Sequence, residues 1–188
     1  MSQRILIVLE NAYKYFYFQP YTSTMDCCAF DCGVMEYNDY LCKDAEHVMN
    51  DHIALTWLII ERSTGKIAAY MSLIMDAIKL SFTEKELHNL KYPFKTIPAM
   101  KLAKLAVDNS ISKKYRGLGT FMIDSAKRFA RECNVRYCAV RFLTVDADIE
   151  HDEDVLVFYQ KNGFIPNAEL YNKNQKTISM RKDIYSTE

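Results

Sequence analysis

Apolar positions along the chain form two kinds of pattern, strand-like runs and helix-like repeats. Ile53–Arg62 is apolar on both faces, as expected of a strand in a sheet that is covered on both sides. A Ser-Thr-Gly-Lys turn separates it from a second strand-like run, Ile67–Leu80, and the two predict a hairpin. Thr96–Asp108 predicts another strand, bent near Pro98. Shorter runs predict the remaining strands: Ile5–Glu10, Arg136–Ala147, Phe164–Ile165 and Thr177–Arg181.

Helical spacing of apolar residues appears in four other stretches. They are Val34–Asn50, Ser81–Tyr92, Thr120–Cys133 and Asp152–Asn162. Ser81 followed by Glu84 is the pattern of a capping box at a helix start. Gly163 stands where a left-handed residue ends the last of these helices.

The order of these elements favours a single mixed α/β domain spanning residues 1–188, because strands precede an alternation of strands and helices. No repeat or Pro/Gly-rich linker marks a domain boundary. The aromatic stretch from Asn11 to Asp26 is interpreted as core or subunit-interface packing, which leaves a homodimer open.

Charge and cysteine content narrow the class of protein. The formal net charge is +0, so nothing global points to nucleic acid or to an anionic membrane. No export signal or membrane-length apolar run is visible, and we therefore expect a cytoplasmic protein with reduced thiols and no membrane partner. The crowded cysteines do not repeat in the short pairs typical of zinc ligands, so we expect no metal: Cys27, Cys28, Cys32 and Cys42.

A glycine-bearing turn between a strand and a helix is the most informative segment. Gly117 and Gly119 would let the backbone approach a phosphate closely, and successive N–H groups at the helix start could face an anion. Lys113, Lys114 and Arg116 add positive charge. The segment predicts a pyrophosphate site, with a plain turn as the equally weighted alternative.

This segment resembles the acetyl-CoA-binding core of the GNAT superfamily of N-acetyltransferases. The resemblance rests on Leu105-Ala-Val-Asp, Tyr115-Arg-Gly-Leu-Gly-Thr and the helix that follows them. It implies a GNAT-like mixed, mostly antiparallel sheet with helices on both faces. It also implies that a loop binds the CoA pyrophosphate and that a bent strand offers its backbone N–H groups to the pantetheine arm and thioester. The loop residues are Lys114, Tyr115, Arg116, Gly117, Leu118, Gly119 and Thr120, and the strand residues are Leu105, Ala106 and Val107.

Two further segments extend the resemblance. Phe158-Tyr-Gln-Lys-Asn-Gly-Phe164 is similar to the helix after the last core strand of the family, which implies that Tyr159 is the general acid toward the CoA thiolate. Phe30-Asp-Cys-Gly33 and Asn38-Asp-Tyr-Leu41 resemble the N-terminal signature of GNAT toxins that acetylate the α-amine of aminoacyl-tRNA. That branch would bring tRNA and an antitoxin as partners.

The sequence therefore predicts an enzyme that transfers acetyl from acetyl-CoA to a primary amine of an unidentified acceptor by direct attack on the thioester. A toxin-type acetyltransferase acting on aminoacyl-tRNA and a non-catalytic acyl-CoA-binding or interaction module are the alternatives. The general base stays open among Asp108, Glu61 and Asp76. A local basic excess could serve CoA, tRNA or solubility: Lys79, Lys85, Lys91, Lys95, Lys101, Lys104, Lys113, Lys114 and Arg116.

Overall fold

A computed structural model describes residues 4–152, 154–167 and 176–186 of the 188-residue chain. The strands are β1 Ile5–Leu6, β2 Phe16–Pro20, β3 Leu55–Glu61, β4 Ile67–Lys79, β5 Thr96–Val107, β6 Tyr115–Arg116, β7 Phe142–Asp148, β8 Ile165–Pro166 and β9 Thr177–Asp183. The helices are α1 Leu9–Tyr15, α2 Met35–Asp39, α3 Ala45–Asn50, α4 Phe82–Leu87, α5 Asn109–Lys114, α6 Leu118–Arg136 and α7 Val155–Lys161. A π-helix, Tyr40–Asp44, joins α2 to α3.

Within the described ranges, seven strands form one sheet in the order β2-β3-β4-β5-β7-β9-β8. The pairs β2–β3, β3–β4, β7–β9 and β8–β9 are antiparallel, and β5–β7 is parallel. The short strands β1 and β6 form a separate parallel pair. The predicted mixed, mostly antiparallel α/β fold is confirmed.

The chain divides into two compact units, and β4, β5 and α6 each run from one unit into the other. The first unit comprises Met1–Ile74 and Ala103–Ser125, and the second comprises Met75–Leu102 and Ala126–Glu188. The prediction that 1–188 is one domain stays a prediction.

In the first unit, β3 and β4 are buried on both faces, as their continuous apolar runs predict. On one face Leu58 and Tyr70 pack with Leu41 and Ala45, which come from the π-helix and the start of α3. Alternation places Met71 on the opposite face, and it too is fully buried. Both faces of this part of the sheet are therefore covered.

In the second unit, the core contains a buried charged network beside its apolar residues. Arg181 on β9 is 2% exposed, and its guanidinium lies 2.7 Å from the Glu84 carboxylate and 2.7 Å from Asn167 Oδ1. Glu84 also completes the predicted capping box: Ser81 Oγ accepts from Glu84 N, and Glu84 Oε2 accepts from Ser81 N. One carboxylate thus caps α4 and fixes α4 to β9.

Several element boundaries differ from the predictions because local hydrogen bonds redirect the chain. The predicted strand Ile5–Glu10 ends after Leu6, since the Asn11 side chain bonds Val8 N and Leu6 O and starts α1. The helix predicted to reach Tyr92 ends at Leu87, and Asn89 follows with a φ of 54°. The sequence did not predict α5.

The strand predicted from Arg136 begins only at Phe142, because α6 continues to Arg136. The N–H groups of Tyr137 and Cys138 both donate to Cys133 O, so the chain is still turning there. Cys138, which falls in the run predicted as a strand, therefore lies outside β7. Cys138 is exposed, with its Sγ 3.4 Å from Cys133 Sγ.

Candidate active site

The end of β5 extends past the part of that strand that pairs with β7. The paired residues run from Ala99 opposite Phe142 to Leu102 opposite Val145. β5 continues to Val107, and the predicted pantetheine-binding residues Leu105, Ala106 and Val107 lie in this extension. The backbone groups that face away from β4 are therefore not used in the ladder with β7.

The turn that leads into α6 requires glycine at Gly117. Its φ is 85°, a left-handed conformation that other residues rarely adopt. A Cβ there would lie 2.6 Å from the Ile7 carbonyl oxygen, because β1 runs beside the turn. Ile7 N also donates to Arg116 O at 2.8 Å. Gly117 is thus explained by the turn itself, as in the plain-turn alternative.

The first turn of α6 contains the remaining loop residues Leu118, Gly119 and Thr120. Their N–H groups have no acceptor within the helix, which makes a helix start a favourable place for an anion. Phe121 N is the first to bond back, to Gly117 O at 3.0 Å. Lys113 and Arg116 are both exposed next to this turn. The arrangement is chemically suited to a phosphate group.

The other two predicted loop residues contact a buried carboxylate. Lys114 Nζ lies 2.6 Å from Glu61 Oε1, and the Tyr115 hydroxyl donates to the same oxygen at 2.8 Å. Thr64 donates to Glu61 Oε2 at 2.7 Å. Burial opposes ionisation of Glu61, but the hydrogen bonds from Lys114, Thr64 and Tyr115 outweigh it and lower the pKa to about 2. Glu61 is therefore a structural anion that holds the start of the loop.

Tyr159 lies on α7, in the second unit, and is 6% exposed. Its ring packs edge-on against Phe164, with 5.3 Å between centroids. Within the described part of the chain its hydroxyl makes no hydrogen bond. Burial, with a smaller contribution from the Asp148 carboxylate, raises the pKa of Tyr159 above its ordinary value. The phenol is thus protonated at neutral pH, as a proton donor must be.

The rest of the Phe-Tyr-x-x-x-Gly-Phe signature ends the helix and fixes its direction. Gly163 has a φ of 78°, which confirms the predicted left-handed end. Phe164 N donates to Tyr159 O at 3.0 Å, and Lys182 Nζ donates to Asn162 O at 2.7 Å. These hydrogen bonds of the signature therefore hold the backbone of Tyr159 in place.

The N-terminal signature that resembles GNAT toxins has a structural role in the first unit. Asp31 Oδ1 accepts from Gly33 N at 2.8 Å and from Asn38 Nδ2 at 3.0 Å. Asp31 N in turn donates to Asp108 Oδ2 at 3.0 Å, and Asn109 N donates to Asp31 O. The signature thus ties its loop to the end of β5.

The three carboxylates that the sequence left open as general bases differ sharply in the structure. Glu61 is held as described above. Asp108 caps α5; burial opposes its ionisation, but hydrogen bonds from the Ser110 side chain and from the N–H groups of Asp31, Ser110 and Ile111 lower its pKa. Asp76 instead faces a cavity, and among the described residues it accepts from the Thr144 hydroxyl, at 2.6 Å, and from Ala77 N, at 2.8 Å.

This cavity lies within the second unit and has a volume of about 480 Å³. It is lined by Asp76, Ala77, Ile78, Lys79, Glu84, Lys101, Asp146, Asn167, Thr177 and Ser179. Lys101 is paired with Asp146 at 2.5 Å, which leaves Asp76 as a carboxylate without an ammonium partner among the described residues. Sequence reasoning missed the cavity, because its residues come from separate strands.

The described part of the chain contains few side chains grouped closely enough to bind a metal ion together. There, one group of three candidate ligands lies together, Asp148, Glu150 and His151, and His151 and Glu150 are already paired with Asp148 and Lys176. The cysteines form no such group among the described residues. In the same residues, no helix combines the length and the apolar character that crossing a membrane would need.

Comparison with solved structures identifies the fold. A Tyr-to-Phe variant of KacT is 17% identical, with 89% of this chain and 95% of that chain covered and a TM-score of 0.71. AtaT in complex with acetyl-methionyl-tRNAfMet is 21% identical, with 87% and 93% covered and a TM-score of 0.71. A structure described as a bacterial toxin is 15% identical, with 90% of each chain covered and a TM-score of 0.73.

Further AtaT structures contain acetyl-CoA or the C-terminus of the antitoxin AtaR, and some of these are of a Tyr-to-Phe variant. No protein-family model matches the chain, and no curated protein sequence matches it significantly. At these identities the comparison establishes the fold. The chain has the fold shared by AtaT and KacT.

Proposed function

We propose that the chain is an acetyl-CoA-dependent N-acetyltransferase whose acceptor is the α-amine of an aminoacyl-tRNA. One observation carries the proposal. β5 continues beyond the residues that pair with β7, and the chain then passes through α5 and Gly117 into the first turn of α6. The same fold in AtaT, in complex with an acetylated aminoacyl-tRNA, favours this acceptor over a small-molecule or protein amine.

The donor site in this proposal uses backbone groups more than side chains. N–H groups of Leu118, Gly119 and Thr120 would hold the pyrophosphate of CoA, helped by the dipole of the 19-residue helix α6. Arg116 and Lys113 would supply charge, whereas Lys114 and Tyr115 would support the loop through Glu61. Backbone N–H groups of Leu105, Ala106 and Val107 would bind the pantetheine arm and the oxyanion.

The chemistry is one direct displacement. The acceptor nitrogen attacks the thioester carbonyl carbon, the carbon–sulfur bond breaks, and the sulfur leaves with the bonding electrons. Tyr159 then gives its phenolic proton to the thiolate and recovers one from solvent. A raised pKa makes Tyr159 a weaker acid, but the same burial disfavours the thiolate and raises its basicity too.

The acceptor amine must lose a proton before or during attack, and Asp76 is the carboxylate we assign to this step. It lines the cavity of the second unit and has no ammonium partner among the described residues. Glu61 and Asp108 are unsuited, since hydrogen bonds hold both as anions with lowered pKa values. A carboxylate base near an ammonium also stabilises the charged acceptor as it binds.

A toxin role follows from this acceptor, because acetylated aminoacyl-tRNA has no free amine for peptide-bond formation. We therefore propose growth arrest on expression alone and an antitoxin partner. The AtaT structure bound to the C-terminus of the antitoxin AtaR supports an antitoxin as the kind of partner.

The test is transfer of radiolabelled acetyl to charged total tRNA, with uncharged tRNA as control. Label should enter only charged tRNA and be released when the aminoacyl ester is hydrolysed. Tyr159→Phe should lower the rate, while Tyr137→Phe, at a tyrosine that is 80% exposed, should not. Label transfer to proteins or small amines but not to charged tRNA would refute aminoacyl-tRNA as the acceptor. The hypothesis of an acetyltransferase would then still hold.

A further inference from the structure

Residues 79–95, hereafter the Lys-aromatic segment, expose several large apolar side chains. They lie in the second unit, on α4 and the loop that follows it. Phe82 is 77% exposed, Tyr92 66% and Phe94 65%. Isolated apolar residues are ordinary on a surface, but a cluster of aromatics on one short segment indicates an interaction site.

The charges of this segment distinguish it from Lys101, Lys104 and Lys114 of the basic stretch. Three lysines outside it are neutralised by carboxylates within 2.8 Å, in the pairs Lys101–Asp146, Lys104–Glu36 and Lys114–Glu61. Lys79, Lys91 and Lys95 have no carboxylate partner among the described residues. Lys85 donates to the Phe94 carbonyl, which leaves its charge uncompensated.

The acidic residues of the segment do not cancel this charge. The Glu84 carboxylate is turned inward to Arg181 and is 8% exposed as a residue. Glu86 is exposed and is the remaining carboxylate of the segment. Four lysines therefore face one exposed carboxylate, and the surface attracts anions.

A groove within the segment could hold a flat ring. It has a volume of about 620 Å³ and is lined by Phe82, Lys85, Glu86, Asn89, Leu90, Lys91, Tyr92 and Pro93. Aromatic rings for stacking and ammonium groups for phosphates are the combination by which proteins bind single-stranded nucleic acid. An acidic protein segment would use the lysines but would leave the stacking rings unexplained.

We propose that the Lys-aromatic segment binds the single-stranded 3′ end of an RNA, with Tyr92 or Phe82 stacking on an unpaired base and Lys91 and Lys95 contacting phosphates. This inference deepens the proposed function, since it names the surface that would receive the acceptor tRNA. It concerns RNA binding alone and requires no step of acetyl transfer.

The test is fluorescence anisotropy with a short labelled single-stranded RNA that ends in CCA, and with uncharged total tRNA as a second probe. Tyr92→Ala should weaken binding about tenfold, because stacking contributes about 1–3 kcal/mol per base. The double change of Lys91 and Lys95 to Ala should lower the slope of log affinity against log salt by about 1.4, the value for two phosphates of a single strand.

Matched controls lie in the same unit but outside the segment. Tyr137→Ala removes an exposed tyrosine and Lys161→Ala removes an exposed lysine, and both should bind RNA like the wild type. Far-ultraviolet circular dichroism establishes that each variant is folded.

Three results would overturn the proposal: no RNA binding by the wild type, equal loss in the control variants, or self-association that the Tyr92 change abolishes. RNA binding through the segment without affinity for acetyl-CoA would instead refute the proposed function and leave this surface standing. The two failures are therefore distinguishable.

Discussion

The Lys114 ammonium lies 2.6 Å from the Glu61 carboxylate, 53 residues earlier in the chain, and this pair links the loop before α6 to the end of β3. The Glu61 side chain is 3% exposed, whereas that of Lys114 is 49% exposed. Loss of the carboxylate would leave the Tyr115 hydroxyl and the Lys114 ammonium without their acceptor. The pair therefore stabilises the loop, and the size of this stabilisation depends on pH.

Glu61→Gln should destabilise the protein at neutral pH by about 2 kcal/mol, because it removes the buried charge that accepts hydrogen bonds from Lys114 and Tyr115. The wild type has a Glu61 pKa lowered from 4.5 to about 2, so its stabilisation is complete above pH 4.5 and is lost as pH falls toward 2. Urea unfolding at pH 7 and pH 3.5 measures this. The variant should lose less stability than the wild type over that interval, and an equal loss would contradict the assignment.

Gly117→Ala and Gly65→Ala form a matched pair. Both positions have positive φ, 85° and 72°, but a Cβ at Gly65 meets nothing within 4 Å. We expect about 1 kcal/mol of destabilisation at Gly65 from backbone strain alone. Gly117→Ala should cost clearly more, since its Cβ would lie 2.6 Å from Ile7 O. Equal unfolding midpoints for the two variants would show that β1 does not pack against the turn.

Asp108→Ala should remove both the cap of α5 and the contact to the N-terminal signature. An N-cap change costs about 1 kcal/mol, and the lost bond to Asp31 N adds to it. Ser81→Ala removes a cap on α4 without a second contact of this kind and serves as the control. Hydrogen exchange should show faster exchange of Asp31 N in the first variant only, whereas unchanged exchange would refute the link.

Asp76→Asn should lower kcat/KM for an amine acceptor most strongly at low pH. A general base contributes about 10²-fold or more, and its loss matters least where the amine is already neutral. The rate difference from wild type should therefore shrink as pH rises toward the pKa of the amine. Asp146→Asn, a cavity carboxylate paired with Lys101, is the control. A pH-independent loss would assign Asp76 a structural role.

Tyr159→Phe should lower kcat by about 10²-fold with unchanged affinity for acetyl-CoA. The fold should be retained, because within the described residues the hydroxyl makes no hydrogen bond and the ring keeps its contact with Phe164. The steady-state rate of CoA thiol release measures the effect. A variant with wild-type kcat would refute Tyr159 as the proton donor.

Local signals explain which features the sequence could predict. Ser81 with Glu84 and the glycine at 163 act within a few residues, so the capping box and the left-handed helix end were both predicted correctly. The pairs Lys114–Glu61 and Asp76–Thr144 join residues 53 and 68 positions apart. Such contacts depend on strand order and register, which a single sequence does not specify.

The boundary between β1 and α1 was predicted wrongly for a related reason. A β-branched-rich run at Ile5 predicts a strand, but Asn11 bonds back to Val8 N and Leu6 O and turns the chain into a helix. The resemblance to a known family supplied the loop and tyrosine assignments, and the structure adds that Lys114 and Tyr115 contact Glu61.

Calorimetric titration with acetyl-CoA tests the central claim most directly. Gly119→Glu places a negative charge in the first turn of α6, where it suits the helix dipole but repels a pyrophosphate, and Val135→Glu places the same charge at an exposed position near the other end of the helix. We expect saturable binding to the wild type and to Val135→Glu and its loss in Gly119→Glu. Absence of binding to the wild type would contradict the acetyltransferase account.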